Sequence, residues 1–127
     1  SGEGVFEADA LGMAVRRVST LRYGENPHQR AALYAHPLRL EGIAHAEQVW
    51  GTELSFNNLL DADAAWCLVD DMRLLHEASH ACAIIKHGNP CGAAWGRDNA
   101  EAFVLAREAD PISAFGGIVA NGRTPRL

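Results

Sequence analysis

The run Lys86-His87-Gly88-Asn89-Pro90-Cys91-Gly92 puts an ammonium beside an imidazole, followed by residues that bend the backbone. An imidazole can act as a general base near neutral pH. Lysine offers a compact cation with a tunable pKa, whereas arginine is effectively always charged. Lys86 is the single lysine in a chain with ten arginines, and it closes the apolar run Cys82-Ala83-Ile84-Ile85. Neighbouring strand residues point to opposite faces, so Lys86 and His87 share one site only if the strand breaks there. Gly88 permits that break. Asn89-Pro90 predicts a helix cap and first helical position, with a short helix through Ala93-Ala94. The N–H groups of that helix would favour an anionic or electron-rich ligand. A strand-end turn with a snorkelling lysine and a surface histidine fits the same spacing.

Two further segments carry donors, rings and turn residues. Arg22-Tyr23-Gly24-Glu25-Asn26-Pro27-His28-Gln29-Arg30 holds a guanidinium that can grip phosphate and a phenol that can stack. A polar surface loop explains that composition equally simply. In Asp110-Pro111-Ile112-Ser113-Ala114-Phe115-Gly116-Gly117, adjacent glycines let backbone approach a ligand, and Phe115 could lie against a planar heterocycle. A tight loop with a core phenylalanine is the plainer reading.

Two zinc patterns fail on inspection. His76-Glu77-Ala78-Ser79-His80 matches H-E-x-x-H, but that motif needs both histidines on one continuing helix, and an apolar strand follows at once. Pro90-Cys91 resembles the start of the deaminase P-C-x-x-C motif, yet position 94 is alanine and no H-x-E occurs. No metal is expected.

The elements that must position these residues follow from periodicity. Positions 58–75 read as a helix with Leu60, Ala64, Cys67, Leu68, Met72 and Leu75 on one face. Asn58 is expected to cap it, with Asp61 in the first turn suiting the helix dipole. Positions 81–86 are too short and uniformly apolar for an amphipathic helix and read as a buried strand. Asp98 and Glu101 form a capping-box pattern opening a second helix to about Ala109. Its expected inner side is Ala100, Phe103, Val104 and the stem of Arg107, and Asp110-Pro111 ends it. Positions 117–120 read as another buried strand, 31–35 as a short strand, and 42–54 as irregular. The fold class is therefore α/β, in layers.

A net charge of −5 argues against nucleic acid or an anionic membrane as partner. No apolar run approaches the roughly 18 residues that span a bilayer. Three cysteines, Cys67, Cys82 and Cys91, make no disulfide framework and fit a reducing, cytoplasmic setting.

Taken together, Leu21 to Gln29, Leu54-Ser55-Phe56-Asn57-Asn58, Lys86 to Gly92 and Asp110 to Gly117 occur in an order that resembles the bifunctional AICAR transformylase/IMP cyclohydrolase family of purine biosynthesis. The resemblance covers about 17–121, the first part of the transformylase region. It implies formyl transfer from the co-substrate 10-formyltetrahydrofolate to the 5-amino group of AICAR, giving FAICAR. His87 matches the catalytic histidine and Lys86 its lysine partner. Arg22 and Tyr23 match residues holding AICAR across a homodimer interface, and Gly116, just after Phe115, matches another AICAR contact. Asn89 joins the expected substrate-binding set. The implied fold is cytidine deaminase-like, this chain being its first subdomain, with 1–16 a linker or truncated end and 17–127 a partial domain. The upstream cyclohydrolase domain and later contacts have no counterpart here, so the segment is expected to be a piece of a larger enzyme and inactive alone. The alternative is a non-catalytic half-domain that binds a purine ribotide or a protein partner.

Overall fold

A computed structural model of the chain describes residues 14–38, 42–76 and 79–122. The first sixteen positions, expected to be a linker or truncated end, lie almost wholly outside them. Strand β1 (Arg16–Thr20) pairs antiparallel with β2 (Ala32–Ala35), with an irregularity between Arg17 and Ser19. The 22–30 segment is the connection between them. It is drawn tight by Leu21 N–H to Ala31 O and Gly24 N–H to Gln29 O, each 2.9 Å. Between β2 and the first long helix the regular structure is a 3-10 turn, Ile43–His45.

Helix α1 (Phe56–Leu75) starts earlier than its periodicity predicts. Ser55 is the cap: its side chain accepts from Asn58 N–H, and the Asn58 side chain accepts from Ser55 N–H. Asn58 is thus the reciprocal partner of a capping box, with an amide where Glu or Gln is usual. No acidic residue lies in the first turn, so Asp61 does not serve the helix dipole. The buried positions are Ala65, Val69, Met72 and Arg73, whereas Leu60, Cys67 and Leu75 are exposed. Apolar residues ring much of this helix, so spacing alone left its inward phase ambiguous; packing settled it. Buried Arg73 lies over the Trp66 ring at 5.6 Å and meets Asp70 at 3.6 Å.

Strand β3 (His80–Lys86) is the middle of a three-stranded antiparallel sheet, between β4 (Asn89–Gly96) and β5 (Ile118–Gly122). Its residues 81–85 are all buried because both faces are covered. Ala81 and Ala83 pack on Val69 and Met72 of α1. Cys82 and Ile84 pack on Ala102 and Ala106 of α2 (Asn99–Ala109) on the other side. The result is a helix–sheet–helix α/β arrangement with β3 at its centre.

The helix expected after Asn89-Pro90 is not formed; β4 occupies those residues. Two residues, His87 and Gly88, are enough to reverse the chain, and β4 then satisfies its backbone against β3. Pro90, which has no N–H, is tolerated because β4 is an edge strand with a register shift beside it. Helix α2 begins as expected, with Asp98 accepting from Glu101 N–H at 2.8 Å. The Glu101 carboxylate turns instead to Arg97, at 2.8 and 2.6 Å. Its inner face is Ala102 and Ala106, while Ala100, Val104 and Arg107 are exposed. The reason is close approach: a Cβ on Gly92 would lie 1.9 Å from Ala106 O, and one on Gly96 2.5 Å from Ala102 N. Only alanines fit against those glycines. A single turn, α3 (Pro111–Ala114), follows, capped by Asp110. Hydrogen bonds from Ser113 hold the Asp110 carboxyl below the usual carboxylate range. β5 is an edge strand and only partly buried, not the fully buried strand its composition predicts.

Candidate active site

The Lys86-to-Gly92 motif is a hairpin, not the mouth of a helix. Lys86 pairs with Asn89, and the two residues between them have positive φ, 52° at His87 and 77° at Gly88. That is a type I′ turn, whose twist matches the strands it joins. Histidine is among the residue types enriched at such angles, yet a side chain there still costs about 1 kcal/mol. Local strain of this kind persists when surroundings hold it. Here they do: Gly88 N–H donates to Asp61 Oδ1 of α1 at 2.9 Å, and Asn89 Nδ2 donates to the His87 carbonyl at 3.1 Å.

Lys86 ends the buried strand. Its Nζ donates to the Phe115 carbonyl at 2.7 Å, which brings the hairpin against the 110–117 segment. Cys91 Sγ makes a second tie, to Ser113 O at 3.4 Å. Gly116, at φ 76°, follows at once, and a Cβ on Gly117 would lie 2.9 Å from Ile84. Phe115 is 82% exposed, so it is a ring offered to the outside and not a core residue. His87 is exposed as well, and among the described residues its imidazole makes no hydrogen bond. Lys86, His87, Asn89, Phe115 and Gly116 therefore form one group.

Arg22 and Tyr23 form another. The guanidinium lies 4.8 Å from the Tyr23 ring centre and donates to its hydroxyl at 3.2 Å. Arg22 N–H donates to Leu54 O at 2.9 Å, and Phe56 N–H to Tyr23 O at 3.1 Å, so this loop is docked on the start of α1. Asn26-Pro27-His28-Gln29 closes it, with Gln29 N–H to Asn26 O at 3.0 Å. Among the described residues no hydrogen bond or ion pair joins this pair to Lys86 or His87. Helix α1 links the two groups, carrying the loop at Phe56 and the hairpin at Asp61, roughly 8 Å further along its axis.

Asp61 and Cys91 were not singled out by sequence as contacts. Their signal is tertiary, because each reaches a backbone group more than twenty positions away. The zinc-like histidines are engaged elsewhere. His76 stacks edge-on against Trp95 at 4.6 Å, and His80 Nδ1 lies 2.8 Å from Asn99 Oδ1. Among the described residues no group of three or more His, Cys, Asp or Glu side chains could hold a metal ion. No helix among them is long and apolar enough to cross a membrane.

The structure thus presents a Lys-His hairpin beside a Phe-Gly turn, with an Arg-Tyr loop docked on the same helix of an α/β layer arrangement. The family model of the AICARFT/IMPCHase bienzyme matches residues 3–125, and the chain belongs to that family. Proteins called bifunctional purine biosynthesis protein PurH are similar to it. That of Aquifex aeolicus is 54% identical over 122 residues, covering 91% of this chain and 23% of the relative. That of Rhodospirillum rubrum is 54% identical over 110 residues, covering 87% and 20%. That of Desulfitobacterium hafniense is 50% identical over 109 residues, covering 86% and 20%. The chain spans about a fifth of the length of these relatives.

Proposed function

We propose that this chain forms part of an AICAR formyltransferase, a homodimeric cytoplasmic enzyme of purine biosynthesis. It transfers the formyl group of 10-formyltetrahydrofolate to the 5-amino group of AICAR, giving FAICAR. The observation that carries this reading is the Lys86–Phe115 hydrogen bond, which gathers His87, Lys86 and the Phe115-Gly116 turn at one end of the sheet. On this reading the layers belong to the first subdomain of a cytidine deaminase-like fold, and the isolated segment is inactive.

The AICAR amine is conjugated with its ring carboxamide and is a weak nucleophile. As its nitrogen attacks the formyl carbon, His87 takes the amine proton through an open ring nitrogen. The carbonyl electrons move onto oxygen and return as the bond to the folate nitrogen breaks. The Lys86 ammonium has three donors and spends one on Phe115 O. A second stabilises the developing oxyanion or supplies the proton that the departing nitrogen needs. Arg22 grips the substrate phosphate, and Tyr23, Asn89, Phe115 and Gly116 complete the AICAR site.

The test uses the full-length enzyme that carries this segment. His87→Ala is expected to lower formyl transfer by about 10²–10⁴-fold while AICAR still binds. Arg22→Ala is expected to weaken AICAR binding instead. Lys86→Arg should fail nearly as badly as Lys86→Ala, because a planar fork replaces a point donor and does not readily lose a proton. A fully active His87→Ala enzyme would remove the proposed base, and near-normal kcat in Lys86→Arg would refute the specific role of Lys86.

A further inference from the structure

The proposed chemistry leaves Asp61 without a task, yet its carboxylate reaches from α1 to the turn that carries His87. It accepts the Gly88 N–H at 2.9 Å. That N–H belongs to the peptide joining His87 to Gly88. The other end of the same peptide, the His87 carbonyl, accepts from Asn89 Nδ2 at 3.1 Å. One peptide plane is therefore gripped at both ends, from a helix on one side and from the next strand on the other.

The central peptide of a tight turn is the unit that rotates when a type I′ turn becomes type II′. Rotation here would swing the N–H away from Asp61 and the carbonyl away from Asn89. It would also place His87 in a position that type II′ turns reserve for glycine. The orientation of this plane sets ψ at His87, so the two grips hold the turn that carries the imidazole in its I′ form. The bond to Asp61 is charge-assisted, hence the stronger of the two grips. Asp61 also stands on the helix whose start carries the Arg22-Tyr23 loop.

We infer that Asp61 is a positioning residue for His87, acting by locking the His87–Gly88 peptide. The inference rests on the proposed function, and its test separates the two. In the full-length enzyme, Asp61→Ala is expected to lower kcat by about 10–100-fold, the usual effect of losing a partner that orients a working side chain. KM for AICAR should stay within about twofold, since the loop that grips it is untouched. Asp61→Asn keeps an acceptor oxygen at the same place and should recover most of kcat. Amide exchange at Gly88 should rise in Asp61→Ala and stay slow in Asp61→Asn, with the α2 amides unchanged in both.

If His87→Ala is disabled while Asp61→Ala keeps kcat within about twofold, the inference is overturned and the function stands. If Asp61→Asn falls as far as Asp61→Ala, the hydrogen-bond lock is refuted. If His87→Ala is active, the proposed function fails, and Gly88 exchange then decides the lock alone: unchanged exchange in Asp61→Ala overturns it. Should Asp61→Ala not fold, Asp61→Asn with near-normal kcat and slow Gly88 exchange supports the lock, and low kcat or fast exchange overturns it.

Discussion

Side chains that differ by a few positions in this chain meet very different surroundings, and the cysteines display it. Cys82 lies between β3 and α2 with no exposed surface, and burial pushes its thiol up to about 11. Cys67 is exposed on α1, its thiol raised by desolvation and then by Asp63, Asp71 and Asp70. Since only the thiolate attacks, alkylation at pH 8 followed by mass spectrometry should label exposed Cys67 and part-exposed Cys91 before buried Cys82. Rapid labelling of Cys82 in folded protein would contradict the packing described. The same shift makes a stability prediction. Between the ordinary thiol value of 9.0 and about 11, the folded chain keeps a proton that the unfolded chain gives up. This contribution is intact below pH 9 and is lost as pH rises. From pH 8 to 10.5 the loss in urea-unfolding free energy should be about 2 kcal/mol smaller in Cys82→Ala than in the parent. Equal losses in the two proteins would show that Cys82 does not titrate differently on folding.

At the scale of elements, contact between α2 and β4 depends on what is missing from the strand. Gly92 and Gly96 leave room for the helix backbone, and any side chain would strike it. A backbone cannot swing aside as a flexible side chain can. Gly92→Ala should therefore destabilise the protein by about 3 kcal/mol, at the upper end of overpacking effects, measured by urea denaturation. Gly88→Ala should cost only about 1 kcal/mol, because its difficulty is a positive φ in open space. A neutral Gly92→Ala would mean that α2 does not sit as closely as described. The Asp98 cap of α2 was legible in its sequence, because it acts within one helical turn, whereas the Glu101 carboxylate closes no box and turns to Arg97. Its inner face was not. That face was chosen by the glycines of β4, which the helix sequence does not contain.

At the scale of the whole molecule, many large apolar side chains among the described residues are exposed. Trp50 is 94% exposed, Ile112 88%, Phe115 82%, and Leu74 and Leu75 73% each. Where such side chains adjoin one another, they drive association. The isolated 127-residue chain is expected to self-associate at micromolar concentration in analytical ultracentrifugation. It is also expected to form no FAICAR from AICAR and 10-formyltetrahydrofolate. A monomer throughout that range, or turnover by the isolated chain, would overturn the respective expectation.

The sequence by itself determined the family, through four ordered motifs, and named candidate site residues that the fold then divides between two groups. It also determined the elements whose cause is local: the long apolar helix, the buried strand ending at Lys86, and the Asp98 cap. Residues 89–96 were decided only by tertiary structure. Asn89-Pro90 favours a helix start by local rules, but the exposed edge of β3 offered those backbone groups partners, and pairing outweighed local preference. The same holds for Asp61. Its position in α1 is legible, whereas its hydrogen bond to Gly88 exists only once the hairpin folds back against the helix.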